Sequence, residues 1–260
     1  LLKLDKFSLK DEKLPLVSII TIVYNNKDMI QSTIRSVLNQ SYKHVEYIII
    51  DGGSTDGTTK AISAFSIDRV ISERDRGISH AFNKGIGYAN GELIGMINAG
   101  DTYELDAVQN MVEKYLATEK KRNDLCVYFG NICLTTQKGK RKIYPPKKIE
   151  TFDYQMPIWH PTVFVTKNVY NEFGYNEEFK IAMDYDFFSK LYAQNANFIY
   201  VDKVISTMNT DGLSNSNAIK GFKEVKMASE RNLATPLIKS YFYYQYRCIL
   251  FKVVKFLKRR

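Results

Sequence analysis

An open α/β fold, with a mostly parallel sheet carrying helices on both faces, is predicted by three features of the sequence. Strand-like and helical patterns alternate four times through the first 120 residues, an order that favours a parallel sheet covered on both sides. The run Ile48-Ile49-Ile50 stops on Asp51 and enters the loop Gly52-Gly53-Ser54-Thr55-Asp56-Gly57. Open α/β sheets place their ligands in such loops, at the carboxyl ends of strands. Finally, 260 residues with 45% hydrophobic content are enough to bury a full core, as one large or two intimate domains.

The elements follow in order. Residues 1–14 are mixed and polar and read as a leader. The β-branched run 16–23 is the first strand. Met29, Ile30, Ile34, Val37 and Leu38 then recur at helical spacing, with Asn25 or Asn26 placed to cap that helix. Residues 45–50 form the second strand, and a short helix starts at Thr58 with Asp56 as its turn or capping residue. Residues 68–72 read as an edge strand, 78–89 as a helix, and 92–98 as a strand ending in Asn98-Ala99-Gly100-Asp101. Leu105, Val108, Val112 and Tyr115 mark another helix.

Beyond residue 120 the regularity fades. Residues 125–134 and 160–165 are strand-like, 137–148 are basic and interrupted by proline, and 208–217 are loop-like. A helix over about 184–194 stacks Phe187, Phe188, Leu191 and Tyr192 on one side. There is no internal repeat.

The net charge is +9, and residues 239–260 hold seven basic side chains with no acid. The body is therefore nearly balanced, and with no recognition motif present a nucleic-acid partner is not expected. Within the tail, Tyr246, Leu250, Val253, Val254 and Leu257 share one helical face, while Lys252, Lys255 and Arg259 share another. A basic amphipathic helix preceded by Tyr241, Phe242, Tyr243 and Tyr244 suits an anionic membrane surface, or else a docking or dimer contact. No apolar run approaches the ~18–20 residues of a membrane span, and the N-terminus lacks a signal-peptide pattern. Cys126, Cys133 and Cys248 lack metal-ligand spacing and read as reduced thiols. The expected location is cytoplasmic, at the inner face of the cell membrane.

Six ordered motifs make the chain recognisable. They are Val-Ser-Ile-Ile-Thr-Ile-Val-Tyr-Asn (17–25), Ile-Asp-Gly-Gly-Ser-Thr-Asp-Gly-Thr (50–58), Ser-Glu-Arg-Asp-Arg-Gly-Ile (72–78), Ala-Phe-Asn-Lys-Gly (81–85), Asn-Ala-Gly-Asp (98–101) and Met-Asp-Tyr-Asp-Phe-Phe (183–188). Over roughly residues 15–210 the chain resembles family 2 glycosyltransferases. The resemblance implies a GT-A fold, a nucleotide-diphosphate sugar donor, a divalent cation (Mn²⁺ or Mg²⁺) and inversion at the anomeric carbon. It divides the chain into a nucleotide-sugar-binding half (15–120), an acceptor-binding and catalytic half (121–215) and a helical basic extension (216–260).

Each candidate residue has a reading of its own. Asp51 is able to accept the imide N–H of a uracil, which would favour a UDP-sugar, or to hydrogen-bond its own turn. Tyr24 and Asn25 follow the first strand and would flank the base or ribose. Asp75 resembles the family's donor-loop aspartate, and Arg76 and Lys84 are candidates to neutralise diphosphate or sugar. Asn98, Ala99 and Asp101 stand where the family carries an Asp-x-Asp cluster for the cation, which needs hard oxygen ligands. Here Gly100 supplies no side chain, so Asp101 is the one carboxylate expected to bind metal. Asp184 resembles the catalytic carboxylate that takes the acceptor's proton, with Met183 in place of the family's preceding Glu. Asp186 points elsewhere on the helix and reads as structural or acceptor-side. His160 would contact the diphosphate, metal or acceptor, or simply pack beside Trp159. His44 and His80 read as connector and helix surface. The expected acceptor is a glycan or polyprenyl-linked sugar in bacterial surface polysaccharide synthesis. With Gly100 and Met183 where acids are usual, the alternative is a non-catalytic sugar-nucleotide binder or assembly scaffold.

Overall fold

The structure is a computed structural model that describes residues 14–118, 124–136, 139–209 and 217–257. The leader 1–13, the loop 210–216 and the tail beyond 257, with Arg259, lie outside the described residues, as does the side chain of Leu257.

The chain runs β1 (Val17–Val23), α1 (Lys27–Leu38), β2 (Val45–Asp51), α2 (Thr58–Ile62), β3 (Arg69–Ser72), α3 (Ile78–Tyr88), β4 (Leu93–Asn98), β5 (Thr102–Tyr103) and α4 (Ala107–Ala117). It continues with β6 (Cys126–Thr135), β7 (Arg141–Tyr144), β8 (Phe164–Thr166), α5 (Lys167–Glu172), α6 (Met183–Ala193), β9 (Asn197–Asn209), α7 (Ala218–Asn232) and α8 (Leu237–Leu257). Among the described residues the strands join one sheet, ordered β3-β2-β1-β4-β8-β6-β9-β5, with β7 paired to β6. β3, β2, β1 and β4 are parallel, whereas β8 runs antiparallel to both its neighbours.

Strand alternation divides the core between the two faces. Ile19, Ile49 and Ile97 pack with Ile30, Ile34 and Val37 of α1 and Val108, Met111 and Val112 of α4. Ile20, Ile48, Ile50 and Met96 pack on the other face with Phe82 of α3 and Phe187 and Phe188 of α6. Each such fully buried side chain contributes roughly 1.5–3 kcal/mol relative to exposure. With both faces covered, β1, β2 and β4 read as nearly continuous apolar runs.

The later elements depart from expectation in three places. Residues 160–165 are not one strand. Pro161 has no N–H to give a ladder, and 160–162 form a 3₁₀ turn closed by Thr162 N–H donating to Trp159 O at 2.8 Å. The basic stretch after 137 contains an exposed edge strand, β7, antiparallel to β6. β9 is broken in sequence by Asp202-Lys203, which falls where its pairing with β6 shifts register beside Asn131. As expected, the extension is helical: α7 and α8 pack on the α6 side of the sheet.

This topology fixes the position of the site. From β1 the chain moves to β2 on one side and later to β4 on the other, so loops at their carboxyl ends diverge around a crevice. Val23 is level with Asp51, Ile22 with Asn98, and Asp51 with Ser72. Loops 24–26, 52–57, 73–77 and 99–101 therefore emerge at one edge.

Candidate active site

A cleft of about 1980 Å³ opens over that edge, walled by the four loops, residues 144–161, the start of α6, and parts of α7 and α8. Tyr24, Asp75, Asn98, Ala99, Asp101, His160 and Asp184 all line it; Asn25, Asp51, Lys84 and Asp186 do not.

Asp51 is fully buried beneath its loop. Its carboxylate accepts the Ser54 N–H at 3.1 Å, the Ser54 hydroxyl, and the Ser72 hydroxyl at 2.6 Å. The expected uracil contact is corrected accordingly: Asp51 is buried, does not line the cleft, and shapes the loop that presents Gly52 and Gly53 to it. Asn25 is likewise a staple rather than a lining residue. Its N–H donates to Ser54 Oγ at 2.8 Å and its Oδ1 accepts the Thr55 N–H at 2.8 Å, with its backbone at φ +47°. Asp56 accepts N–H groups from Thr58 (3.0 Å) and Lys27 (3.1 Å), satisfying donors at the first turns of both α2 and α1. Asn26, the residue preceding α1, donates its side-chain amide to Ala99 O at 3.1 Å. These bonds leave Tyr24 66% exposed at the cleft's lip.

Asp75 is anchored from behind. Its Oδ1 lies 2.8 Å from Lys84 Nζ and 2.9 Å from His80 Nδ1, and Lys84 also meets Glu73 at 2.8 Å. Burial opposes charge on Lys84, yet hydrogen bonds to Asp75 and Glu73 outweigh it and hold its pKa above the usual value. Lys84 therefore orients Asp75 and does not face the cleft. His80, read from sequence as ordinary helix surface, shares that role.

The loop after β4 contains the features that suit a hard cation. Asn98 Oδ1 is buried without a hydrogen-bond partner among the described residues. Asp101 is only 9% exposed, and burial raises its pKa to about 7. A buried carboxylate and a buried amide oxygen without a partner, on one cleft wall, fit an oxygen-seeking ion whose remaining ligands come from a diphosphate. No group of three or more His, Cys, Asp or Glu suited to a metal occurs among the described residues, so the protein's share of such a site is small. Gly100 sits at φ +108°, which admits the tight turn between the two ligands, and its N–H donates to Thr33 Oγ1 at 3.0 Å.

Across the cleft, Asp184 opens α6. Its Oδ1 is buried without a hydrogen-bond partner among the described residues, 3.8 Å from His160 Nε2, while the side chain as a whole stays 29% exposed. Burial raises its pKa, and the His160 charge opposes that rise. The His160 ring packs on Phe82, centroids 5.1 Å apart. Asp186 faces the opposite way, fully buried, with Oδ1 accepting from Asn232 Nδ2 at 3.1 Å and Oδ2 3.8 Å from Lys190 Nζ. It ties α6 to α7, and the acceptor-side or diphosphate reading is corrected to a structural one.

One residue that sequence reasoning missed sets the entry to α6. Glu224 of α7, 7% exposed, accepts with a single oxygen the N–H groups of Lys180 (3.1 Å), Ile181 (2.8 Å) and Ala182 (2.9 Å). A carboxylate at a helix N-terminus satisfies orphan donors and complements the dipole. Gly221, one turn earlier, lets α7 come close: a Cβ there would lie 3.1 Å from Ile181 Cγ2.

The profile of the family described as "Glycosyl transferase family 2" matches residues 18–195. The chain belongs to glycosyl transferase family 2. Among curated relatives of this family 2 chain, it is 29% identical over 208 residues to chondroitin synthase of Pasteurella multocida, covering 74% of this chain and 20% of that one. It is 35% identical over 108 residues to the UDP-Glc:alpha-D-GlcNAc-diphosphoundecaprenol beta-1,3-glucosyltransferase WfaP of Escherichia coli, covering 40% and 43%. The chain thus spans less than half the length of either relative. Its fold matches the Staphylococcus aureus TarS fragment 1–349 bound to UDP-GlcNAc (TM-score 0.62, 15% identity, covering 88% of this chain and 70% of that one). It also matches the mannosyltransferase PcManGT of Pyrobaculum calidifontis bound to GDP-Man and Mn²⁺ (TM-score 0.64, 18% identity, 88% and 70%). The fold is therefore the GT-A fold.

The matched segment ends at residue 195, yet α7 and α8 of this family 2 chain complete the cleft wall. Phe222, Lys226, Tyr243, Tyr244, Arg247 and Phe251 all line it. Sequence alone assigned this region to a membrane or partner contact. No local signal marked its inward face: Tyr243 and Arg247 share or border the side of the helix that carries Leu250 and Val254, and Phe222 lies on the separate helix α7.

Proposed function

We propose that this family 2 chain is an inverting glycosyltransferase moving a sugar from a UDP-sugar to a glycan or polyprenyl-linked acceptor in bacterial surface polysaccharide assembly. One observation carries the reading: Asp101 and Asp184, from opposite halves of the chain, open onto the cleft that Tyr24 and Asp75 also line. The UDP preference is supported by the WfaP name and by the TarS complex; the GDP-Man complex of PcManGT defines the competing outcome.

The donor's nucleoside lies along Tyr24, Gly52, Gly53 and Asp75, with its diphosphate toward Asn98 and Asp101. A Mn²⁺ or Mg²⁺ ion held by Asp101 and Asn98 would supply charge neutralisation for the departing diphosphate. Asp184 accepts the acceptor hydroxyl's proton as that oxygen bonds to the anomeric carbon and the bond to the diphosphate breaks. Its raised pKa makes it a stronger base than an exposed carboxylate. His160 holds Asp184 toward the cleft.

Outside the cleft, α8 exposes Ile238, Phe242, Ile249 and Val253 along one stripe. No helix among the described residues is long and apolar enough to cross a membrane. The stripe suits peripheral attachment to an anionic membrane, at its cytoplasmic face.

A screen of nucleotide sugars for divalent-ion-dependent UDP release tests the reading, with Asp184→Asn beside the parent. The variant is expected to bind donor but lose transfer by at least ~10²-fold; unchanged transfer removes Asp184 from the mechanism. The absence of side chain at Gly100 favours the scaffold alternative, which tight UDP binding with no turnover under either ion would establish.

A further inference from the structure

We propose that Lys147 and Arg247 form a binding site for the phosphoryl group of a lipid-linked sugar acceptor, which rests on the glycosyltransferase reading above. Both side chains line the cleft. Burial, and after it the charge of Arg247, hold the Lys147 pKa below its usual value. Two cations brought together in this way are mutually destabilising unless an anion joins them.

Their surroundings set them apart from two other cations of the same cleft wall. Lys226 and Lys239 line the same cleft, but each is matched by an acid, Glu230 at 2.7 Å and Asp153 at 2.9 Å. Among the described residues neither Lys147 nor Arg247 makes an ion pair. Lys147 Nζ donates to the neutral Gln155 Oε1 at 2.7 Å. Arg247 Nη1 donates to Tyr243 OH at 3.2 Å, and its guanidinium lies over the Phe222 ring, 4.8 Å from the centroid. Stacking of this kind fixes the plane of the guanidinium and leaves most of its five donors available for a bidentate contact with phosphate.

The position argues for the acceptor over the donor. Arg247 belongs to α8, beyond the segment matched by the family profile, whereas donor recognition is assigned above to loops at the ends of β1, β2, β3 and β4. The opposite side of α8 presents the exposed apolar stripe containing Phe242, Ile249 and Val253. One helix therefore offers an apolar face outward and a phosphate-binding arginine inward. An isoprenoid chain in the membrane, joined through phosphate to a sugar, matches both. Tyr154 and Tyr243, packed on each other with centroids 4.8 Å apart, line the cleft beside this pair.

Calorimetry on the full chain tests the assignment. UDP is titrated first into parent and Lys147→Gln/Arg247→Gln protein with Mg²⁺; geranyl diphosphate is then titrated into each UDP-saturated protein. The double variant is expected to bind geranyl diphosphate at least tenfold more weakly with UDP affinity unchanged, which also reports an intact fold. Arg247→Lys, retaining the charge, is expected to lose less than the double variant. Equal affinity for geranyl diphosphate in parent and double variant overturns the proposal. So does a parallel loss of UDP affinity in folded protein, which would give the pair to the donor. Inorganic pyrophosphate binding as tightly as geranyl diphosphate overturns the lipid-linked assignment. A parent that binds no UDP refutes the donor reading instead, and the geranyl diphosphate titration without UDP still decides this site.

Discussion

Glu224→Ala is expected to damage catalysis without touching either substrate. The Glu224 carboxylate accepts three N–H groups at 2.8–3.1 Å immediately before α6. A hydrogen bond to a charged group is worth roughly 1.5–3 kcal/mol, but three bonds sharing one oxygen are not additive. Truncation also leaves three donors unsatisfied in a largely buried place, so the expected loss is about 3–5 kcal/mol of stability. Glu224→Gln keeps an oxygen acceptor and loses only the charge assistance, about 1–2 kcal/mol. The catalytic consequence follows from Asp184, two residues beyond Ala182. A displacement of ~1 Å at a reacting group costs on the order of 10²-fold. Expected kinetics are a kcat reduced by about 10- to 10²-fold in Glu224→Ala, a donor KM within about twofold of the parent, and substantial recovery in Glu224→Gln. UDP-release kinetics and urea unfolding at one temperature provide both numbers. Glu224→Ala with the parent's unfolding midpoint and the parent's kcat would refute the positioning argument.

Four further outcomes are expected. Burial raises the Asp184 pKa and His160 opposes the rise, so the acidic limb of the transfer rate lies above the ordinary carboxylate range, and His160→Gln moves it to still higher pH; a limb that stays put in a pH–rate profile contradicts this. In EDTA, Asp101 has its pKa raised from 3.8 to about 7 by burial, so its favourable contribution is present below pH 4 and lost as pH rises toward 7. Asp101→Asn should therefore gain up to about 4 kcal/mol at pH 8 and nothing at pH 4, read from thermal unfolding. Gly100→Asp should fail to improve cation binding, because φ is +108°, a backbone conformation that residues with a Cβ rarely adopt; tighter Mn²⁺ binding by calorimetry would show that the turn tolerates an acid. Replacing Phe242, Ile249 and Val253 together by Ser should weaken sedimentation with anionic vesicles by at least about tenfold, and unchanged binding would remove the α8 stripe from membrane attachment.

Much of the N-terminal half was legible because its sequence signals are local. Apolar runs such as Ile48-Ile49-Ile50 announce strands buried on both faces, and Asn98-Ala99-Gly100-Asp101 and Asp75 lie at loop positions that the parallel order brings together. The misreadings share a physical origin. Asp51 and Asn25 have the chemistry of ligand-binding residues, but Ser54, Thr55 and Ser72 are equally able partners, and only the folded loop shows that they occupy those atoms. Lys84 and His80 lie one helical turn apart on α3, so their convergence on Asp75 was available from spacing, though not the depth at which they do so. β9 was hidden because Asp202 and Lys203 interrupt its alternation at a register shift. Glu224 gives no local signal at all: its partners are more than forty positions away in sequence.

The division between shared and private parts of the cleft has a functional consequence. Residues 18–195 carry the family match, and they include Asp75, Asn98, Asp101, His160 and Asp184, the groups assigned to donor and proton. α7 and α8 lie outside that segment, yet they contact it at two energetically different kinds of place. Glu224 and Asn232 bond directly to the backbone or side chains that hold α6, whereas Phe222, Tyr243 and Arg247 line the open cleft, with Tyr243 packed on Tyr154. Substitutions in the first set should change turnover with any acceptor, because they move Asp184. Substitutions in the second should change which acceptor is used, because they leave Asp184 in place and alter what packs opposite it. Comparing kcat with acceptor KM across Glu224→Gln and Tyr243→Ala separates the two. Tyr243→Ala lowering kcat equally for every acceptor would mean that α8, too, serves the base rather than selection of the acceptor.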